Sequence, residues 1–147
     1  MLEKSPNNLI EPEMTGVELE NRVRACGLLP TKQRMAVAKY LFCEADHPTA
    51  DQVEKWADGN CPGMSLATVY NTLNAFVHRG LIREFRFSYT DKTIYDKTTR
   101  DHFHFFDEST GKISDLETLT VNWADAVRDD IVVTGVDVLV RGRKISL

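Results

Sequence analysis

Cysteine is too scarce and too scattered to organise this chain: Cys26, Cys43 and Cys61 are odd in number and form no C-x-x-C pair, so neither a disulfide framework nor a zinc knuckle is available. They read as reduced thiols, with Cys43 expected in the core because it lies in an apolar helical pattern, and Cys61 expected at the surface in a Gly/Pro-rich loop. Long apolar runs are missing too. No segment approaches the ~20 apolar residues of a membrane helix, and the first stretch carries Glu3, Glu11, Glu13, Glu18 and Glu20 where a secretory leader would be apolar. A cytoplasmic location is the expectation. Nor is positive charge in excess: 18 Lys and Arg against 22 Asp and Glu leave a net charge of -4, which taken alone argues against binding phosphate. Distribution matters more than the total, since basic residues recur from Lys32 to Arg86 while the acidic excess sits in the N-terminal tail and beyond Thr90, permitting a locally basic face. Internal repeats and low-complexity tracts are absent. What 147 residues at 42% hydrophobic content do supply is one ordinary core or two very small ones.

Residues 1–14, polar and turn-prone around Ser5-Pro6-Asn7-Asn8, read as a flexible tail. Thr15-Gly16-Val17-Glu18 then matches a capping box, opening a helix that carries Leu19 and Val23 and stops near Gly27. A second helix starts after Pro30 with Thr31 as cap and Met35, Ala38, Leu41 and Phe42 as its apolar stripe. A third opens at Thr49, with Gln52 three residues on, and buries Val53, Trp56 and Ala57. Beyond the turn Gly59-Asn60-Cys61-Pro62-Gly63, Ser65 caps a helix over 66–78 that ends at Gly80. Its inward stripe is Leu66, Val69, Leu73, Phe76 and Val77, which leaves Thr68, Asn71, Thr72 and Asn74 off the stripe. Small hydroxyl and amide side chains, where most surface helices carry Lys and Glu, suit close approach to a nucleic-acid groove. Tyr70 reads either as a core-edge aromatic or as a groove reader. Strands over 82–87 and 93–96, around the turn Ser88-Tyr89-Thr90-Asp91-Lys92, complete a winged helix.

After the polar hinge Lys97-Thr98-Thr99-Arg100 the pattern changes to alternation, with strands over 101–106 and 112–116 joined by a turn. A helix through Leu119, Trp123, Ala126, Val127 and Ile131 follows, then a break at Gly135 and a strand with Val136, Val138 and Val140. The fold class is therefore α+β: an N-terminal winged helix-turn-helix over 15–96, a hinge over 97–100, and a small α/β dimerisation domain over 101–147. A unit that small gains the burial it lacks by pairing with a second copy.

Within this second unit, His102 and His104 flank Phe103, and alternate residues of a strand share a face. Their Cα atoms would stand about 6.6 Å apart, close enough to ligate one ion in cis, with Asp96, Asp101 and Asp115 near in sequence to complete a nitrogen and oxygen sphere. The bland alternatives are a chance His-x-His, a His47 that merely neighbours a helix cap, and an Asp115 that is a solvated strand end. Such a cluster could also activate water in a small metallohydrolase. No residue stands out as a general base beyond the ligands, however, so the expectation is that the chain is not an enzyme. A metal-free protein-interaction winged helix is the remaining rival.

The motifs Gly27-Leu28-Leu29-Pro30-Thr31-Lys32-Gln33-Arg34, His47-Pro48-Thr49-Ala50 and Ser65-Leu66-Ala67-Thr68-Val69-Tyr70-Asn71-Thr72-Leu73, in that order, resemble the ferric uptake regulator (Fur) family over about residues 19–144. Tyr95-Asp96, Asp101-His102-Phe103-His104 and the closing Asp137-Val138-Leu139-Val140-Arg141-Gly142-Arg143-Lys144 are most similar to its iron response regulator (Irr) branch. The resemblance implies a DNA-binding transcriptional regulator of iron or haem homeostasis, active when iron is scarce and inactivated through haem or metal, with a zinc- or peroxide-sensing relative as the alternative. Its partners would be an inverted-repeat operator in double-stranded DNA, a second copy of itself, and a haem-delivering protein, with no membrane involved.

Carried across residue by residue, the family's hinge metal site falls on His47, Asp96, His102, His104 and Asp115, a donor set suited to Fe, Mn or Zn. Haem, the other implied cofactor, would take one ligand from His102 or His104, because axial ligands approach from opposite sides and two imidazoles projecting alike do not make a trans pair. Cys61-Pro62 is a further candidate for haem, and residues 1–25 lack the amino-terminal Cys-Pro pair of some relatives. Structural zinc is not expected, since Asp107 and Thr110 stand where many members carry paired cysteines. The family's second metal site also looks lost, with Phe103 in place of an oxygen ligand and no histidine after His104. For DNA, the resemblance assigns base reading to Tyr70 and Asn71 with Ser65 and Thr68 near the helix start, and Lys32, Arg34 and Arg79 as phosphate contacts. Leu29 stands where relatives often have a basic residue that enters the minor groove.

Overall fold

The computed structural model describes residues 14–87, 90–116 and 118–145. The tail expected over residues 1–13 and the Ser88-Tyr89 part of the wing turn lie outside the described residues. Contacts divide the chain into two compact units, one running to Arg86 and including Thr90–Thr99, the other containing Phe87 and everything from Arg100 onward.

The first unit is helical. In α1 (Gly16–Ala25) the capping box forms in both directions: the Thr15 N–H donates to Glu18 Oε2 at 3.0 Å, and the Glu18 N–H donates to Thr15 Oγ1 at 3.2 Å. Leu19 and Val23 face inward. The chain reverses at Gly27, whose φ of +79° suits a residue without Cβ; a Cβ there would also stand 3.1 Å from Arg79 Nη1. Thr31 caps α2 (Lys32–Lys39), which runs into a π-helical turn over Tyr40–Glu44 closed by the Ala45 N–H donating to the Tyr40 carbonyl.

Cys43 is exposed, which corrects the expectation of burial: at about 3.6 residues per turn it falls on the side of the helix opposite Val37, Ala38, Leu41 and Phe42. Cys61, the C-cap of α3 (Ala50–Asn60), is half-buried where a surface position was expected. Trp56 is half-buried as well, stacked on Tyr40 with centroids 4.6 Å apart, where full burial was expected. On α4 (Leu66–His78) the inward face is Val69, Thr72, Leu73 and Phe76. Thr72 therefore belongs to the buried stripe, while Leu66, in the first turn, is 39% exposed and Val77 is half-buried.

The wing consists of β1 (Arg83–Arg86) and β2 (Thr93–Asp96), antiparallel, with Arg83 opposite Asp96 and Arg86 opposite Thr93. The first strand is shorter than the 82–87 expected, because Ile82 is 1% exposed and inserts into the helical core. The Tyr95 N–H donates to the Pro48 carbonyl at 2.9 Å, and Thr49 bridges to Ile94, so β2 is pinned to the start of α3.

In the second unit β3 (Phe103–Asp107) is central, antiparallel to β4 (Lys112–Leu116) and parallel to β5 (Leu139–Gly142). Asp107 Oδ1 accepts from both the Ser109 N–H, at 2.9 Å, and the Ser109 hydroxyl, at 2.5 Å, and so shapes the turn to β4. The last strand starts at Leu139, later than the expected 136, although the His104 N–H still reaches the Val138 carbonyl.

The helix expected through Leu119 to Ile131 is not formed; the described residues there hold a single 3-10 turn, Ala124–Ala126. Leu119, Trp123 and Ile131 are 36%, 40% and 53% exposed, so among the described residues the apolar stripe is only partly covered, and amphipathic helices owe most of their stability to such packing. The α+β class and the order of a winged helix-turn-helix followed by the dimerisation domain stand, with the second unit represented mainly by its sheet.

Candidate metal centre and nucleic-acid interface

Two groups of metal-ligating side chains are present, one in each unit. In the first, His47 lies between the π-helical turn and α3 at φ +46°, a left-handed conformation that a non-glycine residue adopts at a cost of order 1–3 kcal/mol. Its Nδ1 meets Asp46 Oδ1 at 2.7 Å, and its Nε2 faces Asp96 Oδ2 at 3.2 Å. Asp96, the last residue of β2, is buried, and its Oδ1 accepts the Thr98 N–H at 2.9 Å. The wing strand and the loop before α3 thus deliver one imidazole and one carboxylate to the same point.

In the second unit His102, His104 and Asp115 converge, with ligand atoms within 4.8 Å of one another. His104 sits directly opposite Asp115 in the β3–β4 register. His102 Nε2 and His104 Nε2 lie 3.2 and 3.5 Å from Asp115 Oδ1, and the two imidazole centroids are 4.5 Å apart. Phe87 packs edge-on against His104 at 5.6 Å. Asp101, also a candidate from the sequence, is exposed and is not one of the converging donors.

Tautomers test whether these donors fit a cation. A carbonyl oxygen only accepts, so His102 Nδ1, 2.8 Å from the Arg100 carbonyl, carries its proton, and Asp46 draws the His47 proton to Nδ1 in the same way. Each neutral ring then directs a lone pair at a carboxylate oxygen. Two acceptors facing each other at 3.2 Å repel. A second proton on each ring, or a cation between ring and carboxylate, removes the repulsion. Imidazole held through its second nitrogen by a carboxylate or backbone carbonyl is the usual setting of a metal-bound histidine. The residues present therefore fit a divalent ion of the Fe, Mn or Zn kind. Asp46 and the Arg100 carbonyl were missed in the sequence reading; an acidic residue directly before a candidate ligand is the available signal for the first, and a backbone carbonyl leaves none.

On α4, Ser65 Oγ accepts the Thr68 N–H at 3.1 Å, and the two hydroxyls lie 3.0 Å apart, so both serve the helix start. Tyr70 is 40% exposed and Asn71 is exposed beside it, which resolves the tyrosine toward the outer face. Lys32 is exposed at the start of α2, whereas the Arg34 guanidinium donates to the Leu29 carbonyl at 3.0 Å, closing the turn that presents Leu29 at 70% exposure. Arg79 is exposed at the end of α4, against Gly27.

Comparison with known proteins now bears on this geometry. The chain is 40% identical over 94 residues to the peroxide operon regulator of Bacillus subtilis, a match covering 64% of each protein. It is 33% identical over 116 residues to the peroxide-responsive repressor PerR of Staphylococcus aureus, covering 77% of this chain and 78% of that one. The crystal structure of the Vibrio cholerae ferric uptake regulator shares the fold, with a TM-score of 0.67 at 20% identity over 85% of this chain and 98% of that one. The model of the ferric uptake regulator family matches residues 25–130, and with the winged helix and the His/Asp donors in place the chain belongs to that family of metal-responsive transcriptional regulators.

Proposed function

We propose that this protein is a homodimeric DNA-binding regulator in which His47 and Asp96 of the first unit and His102, His104 and Asp115 of the second hold one divalent ion, so that occupancy sets how the two units are held across the 97–100 hinge. The observation that supports this best is that in each unit an imidazole nitrogen meets a carboxylate oxygen at 3.2 Å, His47 Nε2 with Asp96 Oδ2 and His102 Nε2 with Asp115 Oδ1, a nitrogen and oxygen donor set that suits a divalent cation. Ser65, Thr68, Tyr70 and Asn71 would face the major groove, with Lys32, Arg34 and Arg79 as phosphate contacts.

For the signal, we favour peroxide. The relatives named above are peroxide regulators, and three imidazoles with two carboxylates suit Fe(II), which when bound supplies an electron to an oxidant. The chain's own residues bind and orient the ion: Asp46 and the Arg100 carbonyl fix the ring tautomers, and the carboxylates keep the site anionic. Haem is the second reading, resting on the Irr-like motifs. Against it stands the aim of His102 and His104 at one carboxylate oxygen, which suits one ion in cis.

One experiment separates these. Protein loaded with Fe(II) or with Mn(II) is mixed with a duplex selected from a random pool, and affinity is measured before and after peroxide or haem. Peroxide sensing predicts that peroxide abolishes binding by the iron form and spares the manganese form. Haem sensing predicts loss of binding on haem addition, cancelled by His102→Ala or His104→Ala. DNA affinity equal with and without metal would defeat the metal and peroxide reading, and affinity unchanged by haem would defeat the haem reading.

A further inference from the structure

A polar cleft in the first unit is unused by the metal centre and by the outer face of α4. It is lined by Thr49, Ala50 and Asp51 at the start of α3, by Tyr70 of α4, and by Arg86, Asp91, Lys92, Thr93 and Tyr95 of the wing. Its volume, about 220 Å³, is smaller than ligand pockets usually are. Tyr95 is 3% exposed with its ring in the core, yet its hydroxyl makes no hydrogen bond among the described residues. No wholly buried side-chain oxygen or nitrogen there is left without a partner, so the Tyr95 hydroxyl opens into the cleft it lines. Arg86 holds the wing through Nε, which donates to Thr93 Oγ1 at 3.0 Å, leaving the outer edge of its guanidinium to the cleft. The N-terminal amides of α3 add partial positive charge.

We propose that this cleft seats one backbone phosphate of bound DNA, held by the Tyr95 hydroxyl, the Arg86 guanidinium and Lys92, with the first turn of α3 behind it. The inference rests on the DNA-binding reading and adds contacts that it does not contain. Burial first, then the Glu84 carboxylate and Tyr70, push the Tyr95 phenol above its ordinary value, outweighing the lowering pull of Arg86, so it remains a donor throughout the neutral range. Asp51 and Asp91 share the rim and oppose any anion. That opposition decides between sources of phosphate: a free ion gains too little from one cleft, whereas a phosphate in a duplex is brought there by every other contact the duplex makes. Tyr70 then has two roles, its outer edge toward the bases and its inner edge toward the same phosphate.

Fluorescence anisotropy with a duplex recovered from a random pool by metal-loaded wild type tests this, with Tyr95→Phe and Arg86→Gln compared at several salt concentrations. Tyr95→Phe keeps the buried ring, and thermal melting checks that the fold is unchanged. The expected result is about tenfold weaker binding for Tyr95→Phe on every duplex tried. Arg86→Gln should also lower the salt slope by about one. Neutral methylphosphonate placed at each phosphate in turn should weaken wild type at one position per half-site, and that penalty should vanish in Tyr95→Phe. Wild type that recovers no duplex defeats the DNA reading and this site together. Variants that match wild type in affinity and slope, while wild type binds, defeat this site alone. Inorganic phosphate that shifts the tyrosine resonances while Tyr95→Phe leaves DNA affinity unchanged assigns the cleft to free phosphate and overturns the proposal.

Discussion

The two units differ most in what they bury. The first closes a core of its own: Leu19, Val23, Val37, Val53, Val69, Leu73, Phe76 and Ile82 are almost wholly out of water, drawn from all of α1 to α4 and the base of the wing. In the second, Ile113 is the buried apolar residue among those described, while Trp123, Ile131, Val132 and Val140 are 40%, 53%, 87% and 39% exposed. A reading head that must hold its helices rigid in a groove needs a finished interior. A sheet that carries three of the candidate metal donors but little core would gain the burial it lacks from a second copy, if the chain pairs as proposed.

The sharpest break in that comparison comes from truncating one side chain in each unit. Phe76→Ala removes a ring with no exposure and should cost about 3–5 kcal/mol, enough to unfold the first unit near physiological temperature. Val132→Asp, in the second unit, should leave the melting of the first unit in place and convert a dimer to monomer in sedimentation. If Val132→Asp sediments as a dimer, the exposed segment is not what pairs the chains, and the contrast between the units loses its explanation.

A smaller effect sharpens the contrast between the two groups of candidate metal ligands, one in each unit. Asp46 touches His47 Nδ1 from the solvent side, so Asp46→Ala frees the ring to choose its other tautomer and should weaken metal affinity by about 10–100-fold without altering the fold. His102 is oriented by a backbone carbonyl, which no substitution at that position removes. A metal titration in which Asp46→Ala equals wild type would show that His47 is set by its backbone alone.

What could be read in advance follows the range of the forces involved. Capping boxes at Thr15 and Glu18 and at Thr49 and Gln52 are local chemistry over three residues, and both form. Short strands bounded by turn residues, such as 93–96 and 112–116, declare themselves in the same way. The π-helical turn at Tyr40 to Glu44 leaves no mark in an apolar pattern read at 3.6 residues per turn. Cys43 is a separate case, since its apolar neighbours suggest the core while the period, counted out, puts it on the outer face. The segment from Leu119 to Ile131 differs again, since its stripe is present in the sequence but is only partly covered among the described residues. The candidate metal donors come from residue type and family pattern, whereas Asp46, the Arg100 carbonyl and the cleft-facing hydroxyl of Tyr95 follow only from three-dimensional placement.

The least effect expected concerns the turn that closes the second unit's hairpin. The Ser109 hydroxyl, then its amide N–H and Thr110, hold the Asp107 carboxyl below its ordinary value of 3.8, outweighing the burial that pushes the other way. A carboxyl depressed on folding stabilises the native state above its unfolded value, and that contribution fades as pH falls through the folded one. The β3–β4 hairpin should therefore loosen in acid below pH 3.8, and Asp107→Asn, which cannot ionise, should remove that dependence. Amide hydrogen exchange at Gly111, whose N–H donates to the Asp107 carbonyl at 2.7 Å, reads the turn directly. Equal acid dependence in wild type and Asp107→Asn would mean that the strand pairing, and not the carboxylate, holds the hairpin closed. In that case the second unit would owe its order to its sheet and its partner alone.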